Sequence, residues 1–333
     1  MITLRILARS SLVSQNASVA LHSGPLKQAA LEQGFSAAGV CDADAPVNLG
    51  AYLEWVDRGL HAGMGYMASS REARKHPDFL LPGVQSVLAV SLNYYQPAPP
   101  GVPRVARYAF GRDYHKVLRA KLRAVARWAE ATYRLKARPC VDSAPILERD
   151  FAHRAGLGWF GKNTMLIDTR RGSWFFIGLL LLDRRFEPDE PARGGCGTCR
   201  KCIDACPTGA LVLEPGHPVA VMHSERCISY RTIEHRGELP GDTHGWLFGC
   251  DICQEVCPFN EARESSPLRG NVTDVKDFSP KEANVKPNLG EIERMERDDF
   301  VRTYAGTAFM RAGVDRLKRN ARAILQPSDQ QDR

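Results

Sequence analysis

The longest apolar run in the chain is Trp174–Leu182 (WFFIGLLLL), closed by Asp183. It falls short of the roughly 18 residues a membrane helix needs and reads as a fully buried strand. Ser86–Tyr95 (SVLAVSLNYY) and Ser36–Cys41 read as two more strands. Elsewhere the period changes. Pro25–Gln33 is helical in pattern and stopped by Gly34, and Leu53, Val56 and Leu60 space a second helix. Over His115–Tyr133 the residues Leu118, Leu122, Val125 and Ala129 fall on one face. Lys116, Arg119, Arg123 and Arg127 form a stripe on another face, which on charge alone is a solvated surface. Ile146–Ala155 and Leu289–Leu325 are helix-like, and Pro97–Pro103 and Pro267–Asn288 read as loops. Strands and helices alternate irregularly, so the fold class expected is α+β, and 333 residues leave room for two or three domains.

Composition changes this picture little: 44% apolar and 25% charged residues suit a soluble globular chain with no membrane span. Residues 1–23 carry Arg5 and Arg9, several serines and no acid. They lack the apolar core of a secretory signal and are read as an extension without fixed structure. The net charge of +7 is concentrated. Between Arg104 and Arg138 eleven Lys and Arg face only Asp113 and Glu130, so any anionic partner is expected there.

The cysteines alter the reading most. Residues 196–210 (CGTCRKCIDACPTGA) are spaced C-x2-C-x2-C-x3-C-P, and GCDICQEVCPFN at 249–260 is a second motif one cysteine short. Cys227 lies between them and supplies the missing thiol. A disulfide framework suits small secreted domains, and zinc suits paired CxxC motifs without the trailing proline. The bacterial-ferredoxin run fits the letter of the pattern, and its fourth cysteine ligates the other cluster. Two [4Fe–4S] clusters are therefore expected: Cys196, Cys199, Cys202 and Cys257 on one, and Cys206, Cys227, Cys250 and Cys253 on the other. Cys41 and Cys140 are left over and read as small buried hydrophobes. Clusters with every iron corner ligated relay electrons and bind no substrate, so the chemistry belongs to the first 190 or so residues.

Residues 156–161 (GLGWFG) match G-x-G-x-x-G, but a helix-like segment precedes them where a dinucleotide fold has a strand. The glycines are expected to end that helix and to let the backbone approach something flat or phosphorylated. Just upstream, Asp142 precedes Ser143 and Pro145. It is either the N-cap of a proline-initiated helix or an acid, and the residues alone leave both open.

The stretches RYAFGRDYHKVLR (107–119), VDSAPILERDFAHRAGLGWFGKNTMLI (141–167), RCISYRTIE (226–234) and the two cysteine motifs together resemble the epoxyqueuosine reductase family, from about residue 24 to 325. The resemblance implies a nitroreductase-like cobalamin-binding domain over 24–190. A dicluster ferredoxin-like domain over 191–262 and a C-terminal loop and helical segment over 263–333 follow it. It implies reduction of the epoxide of a modified guanosine at the tRNA wobble position, with electrons passing from the clusters to cobalamin. Asp142 matches the family's proton donor, an acid that stays protonated only if desolvated. Arg74, in REARKHPDFLLPG, matches an arginine that contacts cobalamin; Lys162, Asn163 and Ile167 fall in a loop expected to line the same pocket. The partners implied are tRNA and an external low-potential electron donor, for a cytoplasmic monomer. The family commonly continues beyond LKRNARAIL (317–325) into a helical-repeat segment, which bears on tRNA affinity rather than redox chemistry. A ferredoxin-type electron carrier leaves the VDSAP block unexplained. A reductive dehalogenase usually carries a twin-arginine export signal, and none is found here.

Overall fold

The structure is a computed structural model and describes residues 19–101, 103–264 and 266–326. Of the extension expected over 1–23, residues 1–18 lie outside the described residues. Residues 19–23 are already attached: Leu21 N–H donates to Arg185 O at 2.8 Å, and Leu21 bridges to Phe186.

Helix α1 (Gly24–Glu32) leads to β1 (Ala37–Asp42), α2 (Leu49–Asp57), the short α3 (Gly65–Ser69) and β2 (Ser86–Asn93). A two-residue strand β3 (Arg104–Val105) precedes the long α4 (Tyr114–Tyr133). Then come β4 (Ala137–Cys140), α5 (Glu148–Arg154), the hairpin β5 (Trp159–Phe160) and β6 (Leu166–Ile167), and β7 (Phe175–Leu182). The main sheet is antiparallel in the order β1-β2-β7-β4. The apolar run at 174–182 thus supplies β7, which is hydrogen-bonded on both edges and packed on both faces.

Alternation along the strands makes two cores. Leu88, Val90, Leu180 and Leu182 face α1 and α4, where Leu118, Leu122, Val125 and Ala129 are all buried. Val87, Ala89, Leu179 and Leu181 face α5 through Phe151 and Ala152. Helix α4 lies close on the sheet because Gly178 leaves room: a Cβ there would stand 2.9 Å from a Leu122 methyl. Asp113 caps α4, its carboxylate accepting the His115 amide at 3.0 Å.

Helix α6 (Lys201–Asp204), α7 (Ile228–Ile233) and α8 (Ile252–Glu255) each carry or adjoin cysteines. The segment 267–288 is not the plain loop expected. It holds a turn at Lys276–Phe278 and α9 (Glu282–Val285), pinned to the first domain where Thr273 N–H donates to Tyr95 O and Lys281 N–H to Phe110 O. Two of its polar side chains also bond the first domain, Thr273 Oγ1 donating to Asn93 O and Asn284 Nδ2 to Ala109 O. Helices α10 (Leu289–Arg294), α11 (Arg297–Tyr304) and α12 (Gly313–Leu325) close a third core around Phe110, Phe248 and Phe309. Among the described residues no helix is long and apolar enough to cross a membrane.

Candidate active site

Asp142 follows β4 and has φ +48°, a left-handed conformation uncommon for a non-glycine residue. Its amide donates to Glu148 Oε1 at 2.6 Å, which holds the bend. It is not a helix cap: residues 143–147 are non-helical and α5 starts at Glu148. The expected proline-initiated helix therefore does not form, and the 142–147 segment becomes a loop at the rim of a recess.

Two groups from the start of α4 meet the Asp142 carboxylate. Tyr114 O–H donates to Oδ2 at 2.9 Å and His115 Nε2 lies 2.9 Å from the same oxygen. The other ring nitrogen, Nδ1, lies 2.8 Å from Asp113 Oδ1. Burial opposes a charge on His115, but its hydrogen bonds to Asp113 and Asp142 outweigh burial and push it up to about 9. Burial alone would raise Asp142; the hydrogen bond and charge of His115, with Tyr114 and Arg149, hold it below the usual carboxylate range. Both shifts favour the proton on His115, through an ion pair across 27 residues of sequence.

Glu148 takes the opposite course. Burial, then the charge of Asp142, pushes it up to about 8. Arg149 is lowered by burial although Asp142, Glu148 and Cys253 favour its charge, and it donates to Thr164 O at 3.1 Å. Asp142 and Arg149 stay exposed although protein surrounds them, as groups lining a recess do. Arg74 donates to Ile146 O at 3.1 Å and to Ser70 Oγ at 3.0 Å, which ties α3 to the loop that carries Asp142. Behind Asp142, Tyr114 stacks on Phe176 at 4.2 Å, Phe176 meets Tyr94 at 4.4 Å, and Gln254 Nε2 donates to Tyr94 Oη at 3.3 Å. Gln254 follows Cys253 directly, so the recess backs onto the second cysteine motif.

Lys162, Asn163 and Ile167 contact the cysteine loops, in a segment that also meets Arg149 of the recess through Thr164 O. Lys162 Nζ donates to Gly197 O at 2.7 Å and Cys199 O at 3.1 Å. Asn163 Nδ2 donates to Cys253 O at 3.2 Å, and Ile167 packs with Trp159 and Cys257. The β5–β6 hairpin folds over the cysteine loops, and Gly158 lets its two strands close: a Cβ there would meet Ile167 O at 2.7 Å. Of the expected cobalamin contacts, Arg74 donates to the loop that carries Asp142.

The thiols gather in two groups. Cys196, Cys199, Cys202 and Cys257 line one small cavity with Lys162, Asn163 and Ile167. Burial raises Cys202 to about 11, and Cys196, Cys257 and Cys199 add to it. Burial raises Cys250 to about 12, with further contributions from Cys227 and Cys206; Cys253 is raised by burial, then by Cys250 and Cys227. Thiols crowded in this way hold negative charge only around a multivalent cation, which is what an iron–sulfur cluster supplies. The donor set therefore fits two clusters. Cys41 and Cys140 are buried in the sheet core, pushed up to about 12, as inert hydrophobes are.

Asp113, Tyr114, His115, Glu148 and Arg149 were not singled out from the sequence, although RYAFGRDYHKVLR contains three of them. Nothing local signals that the start of α4 meets the loop after β4.

Residues 74–143 match the family model described as "Epoxyqueuosine reductase QueG, DUF1730", and residues 195–260 match "4Fe-4S double cluster binding domain". An epoxyqueuosine reductase of Synechocystis sp. is 42% identical over 82% of this chain and 93% of its own length. One of Synechococcus sp. is 46% identical over 72% and 76%, and one of Escherichia coli 38% identical over 90% and 79%. The crystal structure of an epoxyqueuosine reductase with an epoxyqueuosine-modified tRNA-Tyr stem loop superposes with TM-score 0.76 at 29% identity, over 90% of this chain and 80% of that one. The enzyme from Streptococcus thermophilus superposes with TM-score 0.76 at 28% identity over the same shares.

Proposed function

The chain belongs to the epoxyqueuosine reductase family, and from that we propose that it converts epoxyqueuosine at the wobble position of a tRNA to queuosine. Two electrons and two protons remove the epoxide oxygen as water and leave an alkene. The observation that carries the reading is the Asp113–His115–Asp142 line, which opens into a recess backed by Gln254 and Cys253.

Cys196, Cys199, Cys202 and Cys257 would hold one [4Fe–4S] cluster, and Cys206, Cys227, Cys250 and Cys253 the other. Arg74 would stand at the edge of a cobalamin bound in the recess, and that group would supply low-potential redox chemistry there. Asp142 is the proton donor. It is ionised in the open recess, with its proton stored on His115. When substrate and corrin exclude water, an ion pair loses solvation and the neutral pair gains. The proton then crosses from Nε2 to Oδ2 over 2.9 Å and on to the leaving oxygen. Tyr114 keeps that oxygen oriented, and Asp113 holds the ring so that Nε2 faces Asp142. The stored proton serves one of the two transfers, and a proton from solvent reloads His115 for the other.

The target base must leave its stack to enter the recess, and the RNA must be held by its phosphates. The structure sorts the cations of 104–138. Arg104 and Arg107 pair with Glu255, Arg112 with Asp277, and Lys121 and Arg138 donate to backbone carbonyls. Lys116, Arg123 and Arg127 remain exposed on α4 without a carboxylate among the described residues. They start one residue from His115 and are the phosphate contacts of this reading. The test is anaerobic reconstitution with iron, sulfide and cobalamin, then single turnover on epoxyqueuosine-containing tRNA read by nucleoside mass spectrometry. Full loading without any queuosine formed would refute it.

A further inference from the structure

The two cysteine groups differ in what covers them. From Arg193 to Arg200 every residue except Cys196 and Cys199 is exposed, whereas no residue from Trp246 to Asn260 is. The second group faces inward: Gln254, next to Cys253, donates from Nε2 to Tyr94 Oη at 3.3 Å behind the Asp142 recess. The first group faces outward through the 193–200 loop.

That loop is small and braced. A Cβ on Gly195 or Gly197 would meet nothing within 4 Å, so both glycines front open space, while Gly194 lies flat on Trp159, 2.1 Å from Cδ1 by the same measure. Lys162 Nζ fixes its far side by two carbonyls. The rim is cationic. Arg193 and Lys201 are exposed and have no carboxylate partner among the described residues; Arg200 is paired loosely with Asp204 at 3.5 Å. Lys162 adds a third charge whose partners are neutral oxygens.

We propose that this loop, with Arg193 and Lys201 at its rim, is the docking surface for an acidic one-electron carrier protein that reduces the first cluster. The proposal rests on the two-cluster reading above. Flat glycine backbone lets the carrier's own redox centre come close, and a cationic rim steers an anionic partner into a small, short-lived complex. The loop is already held rigid, so little ordering is needed on contact. Each encounter moves one electron: the carrier is oxidised by one, the cluster reduced by one, and no bond changes. Two encounters meet the demand of one epoxide.

The experiment uses the reconstituted full chain and a plant-type [2Fe–2S] ferredoxin, reduced beforehand, as the probe. Cluster reduction is followed by stopped-flow absorbance, and binding by calorimetry, at several salt concentrations. Arg193→Glu with Lys201→Glu is expected to slow reduction by ferredoxin about tenfold or more at low salt, to weaken binding and to flatten the salt dependence. Reduction by dithionite, iron content and the control Arg302→Glu on α11 should match wild type. Equal slowing with ferredoxin and dithionite would show that these residues support the cluster rather than a partner, and would overturn the proposal. So would an unchanged ferredoxin rate in the double variant, or an equal loss in Arg302→Glu. Failure to load two clusters would instead remove the reading beneath it.

Discussion

His115 stands between two carboxylates, with Nδ1 2.8 Å from Asp113 and Nε2 2.9 Å from Asp142. One imidazole cannot present a proton to both unless it is charged. The pair is therefore a stored proton next to the group that must deliver it, and its titration can be measured.

His115 titrates at about 9 in the folded chain against an ordinary 6.5. A raised value stabilises the fold fully below pH 6.5, and that contribution is lost as pH rises through about 9. The ceiling is about 3 kcal/mol and the real figure is lower, because Asp142 is more than half exposed to water. Urea unfolding of wild type and His115→Asn should thus diverge most below pH 6.5 and converge above pH 9. A gap independent of pH would show that the ring packs without holding the proton.

Asp142→Asn keeps the size of the side chain and removes the acid. Turnover should fall by roughly 10²–10⁴, the usual worth of a positioned general acid. The variant should also move a second observable: His115, deprived of one anionic partner, should titrate closer to its ordinary value in an NMR titration. Lost turnover with an unmoved His115 would mean that the two residues are not coupled.

Much of this was open to a reader of the sequence, and the division has a physical cause. The run at 174–182 and the face of Leu118, Leu122, Val125 and Ala129 are local periodic signals, and the sheet and α4 follow them. The cysteine spacing is local too, within each motif. Asp142 and His115 meet only because β4 and α4 are packed side by side, and no period in the chain records that contact. The lowering of Asp142 has the same origin, since its ion-pair partner comes from another element. Lys162 and Asn163 sit in a block of recognisable residues, but which wall they serve depends on the β5–β6 hairpin folding over the cysteine loops.

Lys162 gives a separate test of that placement. Lys162→Met retains the aliphatic stem and removes the ammonium from Gly197 O and Cys199 O. The loop carrying Cys196 and Cys199 should loosen, and iron from the first cluster should pass to a chelator several-fold faster while the second is retained. Loss of both clusters at one rate, read by iron release and EPR, would contradict it.

The exposed cations of α4 make the last prediction, and it turns on salt. Lys116, Arg123 and Arg127 are 7 and 11 residues apart from the first, close to whole turns at 3.6 residues each, so they stay on one narrow face. That face begins beside the residue that holds the proton and continues for about 16 Å at a rise of 1.5 Å per residue. Each cation that contacts a phosphate releases counterions, so replacing it should cut the slope of log affinity against log salt by about 0.7–0.9. Replacing all three with alanine should lower the slope for an anticodon stem-loop by roughly 2–3 and leave the fold intact, because all three are exposed and none is ion-paired among the described residues. Turnover at saturating RNA should be kept, since the Asp113–His115–Asp142 line is untouched. An unchanged slope would place the RNA on another face, and a lost turnover at saturation would make the stripe part of the recess rather than a track leading to it.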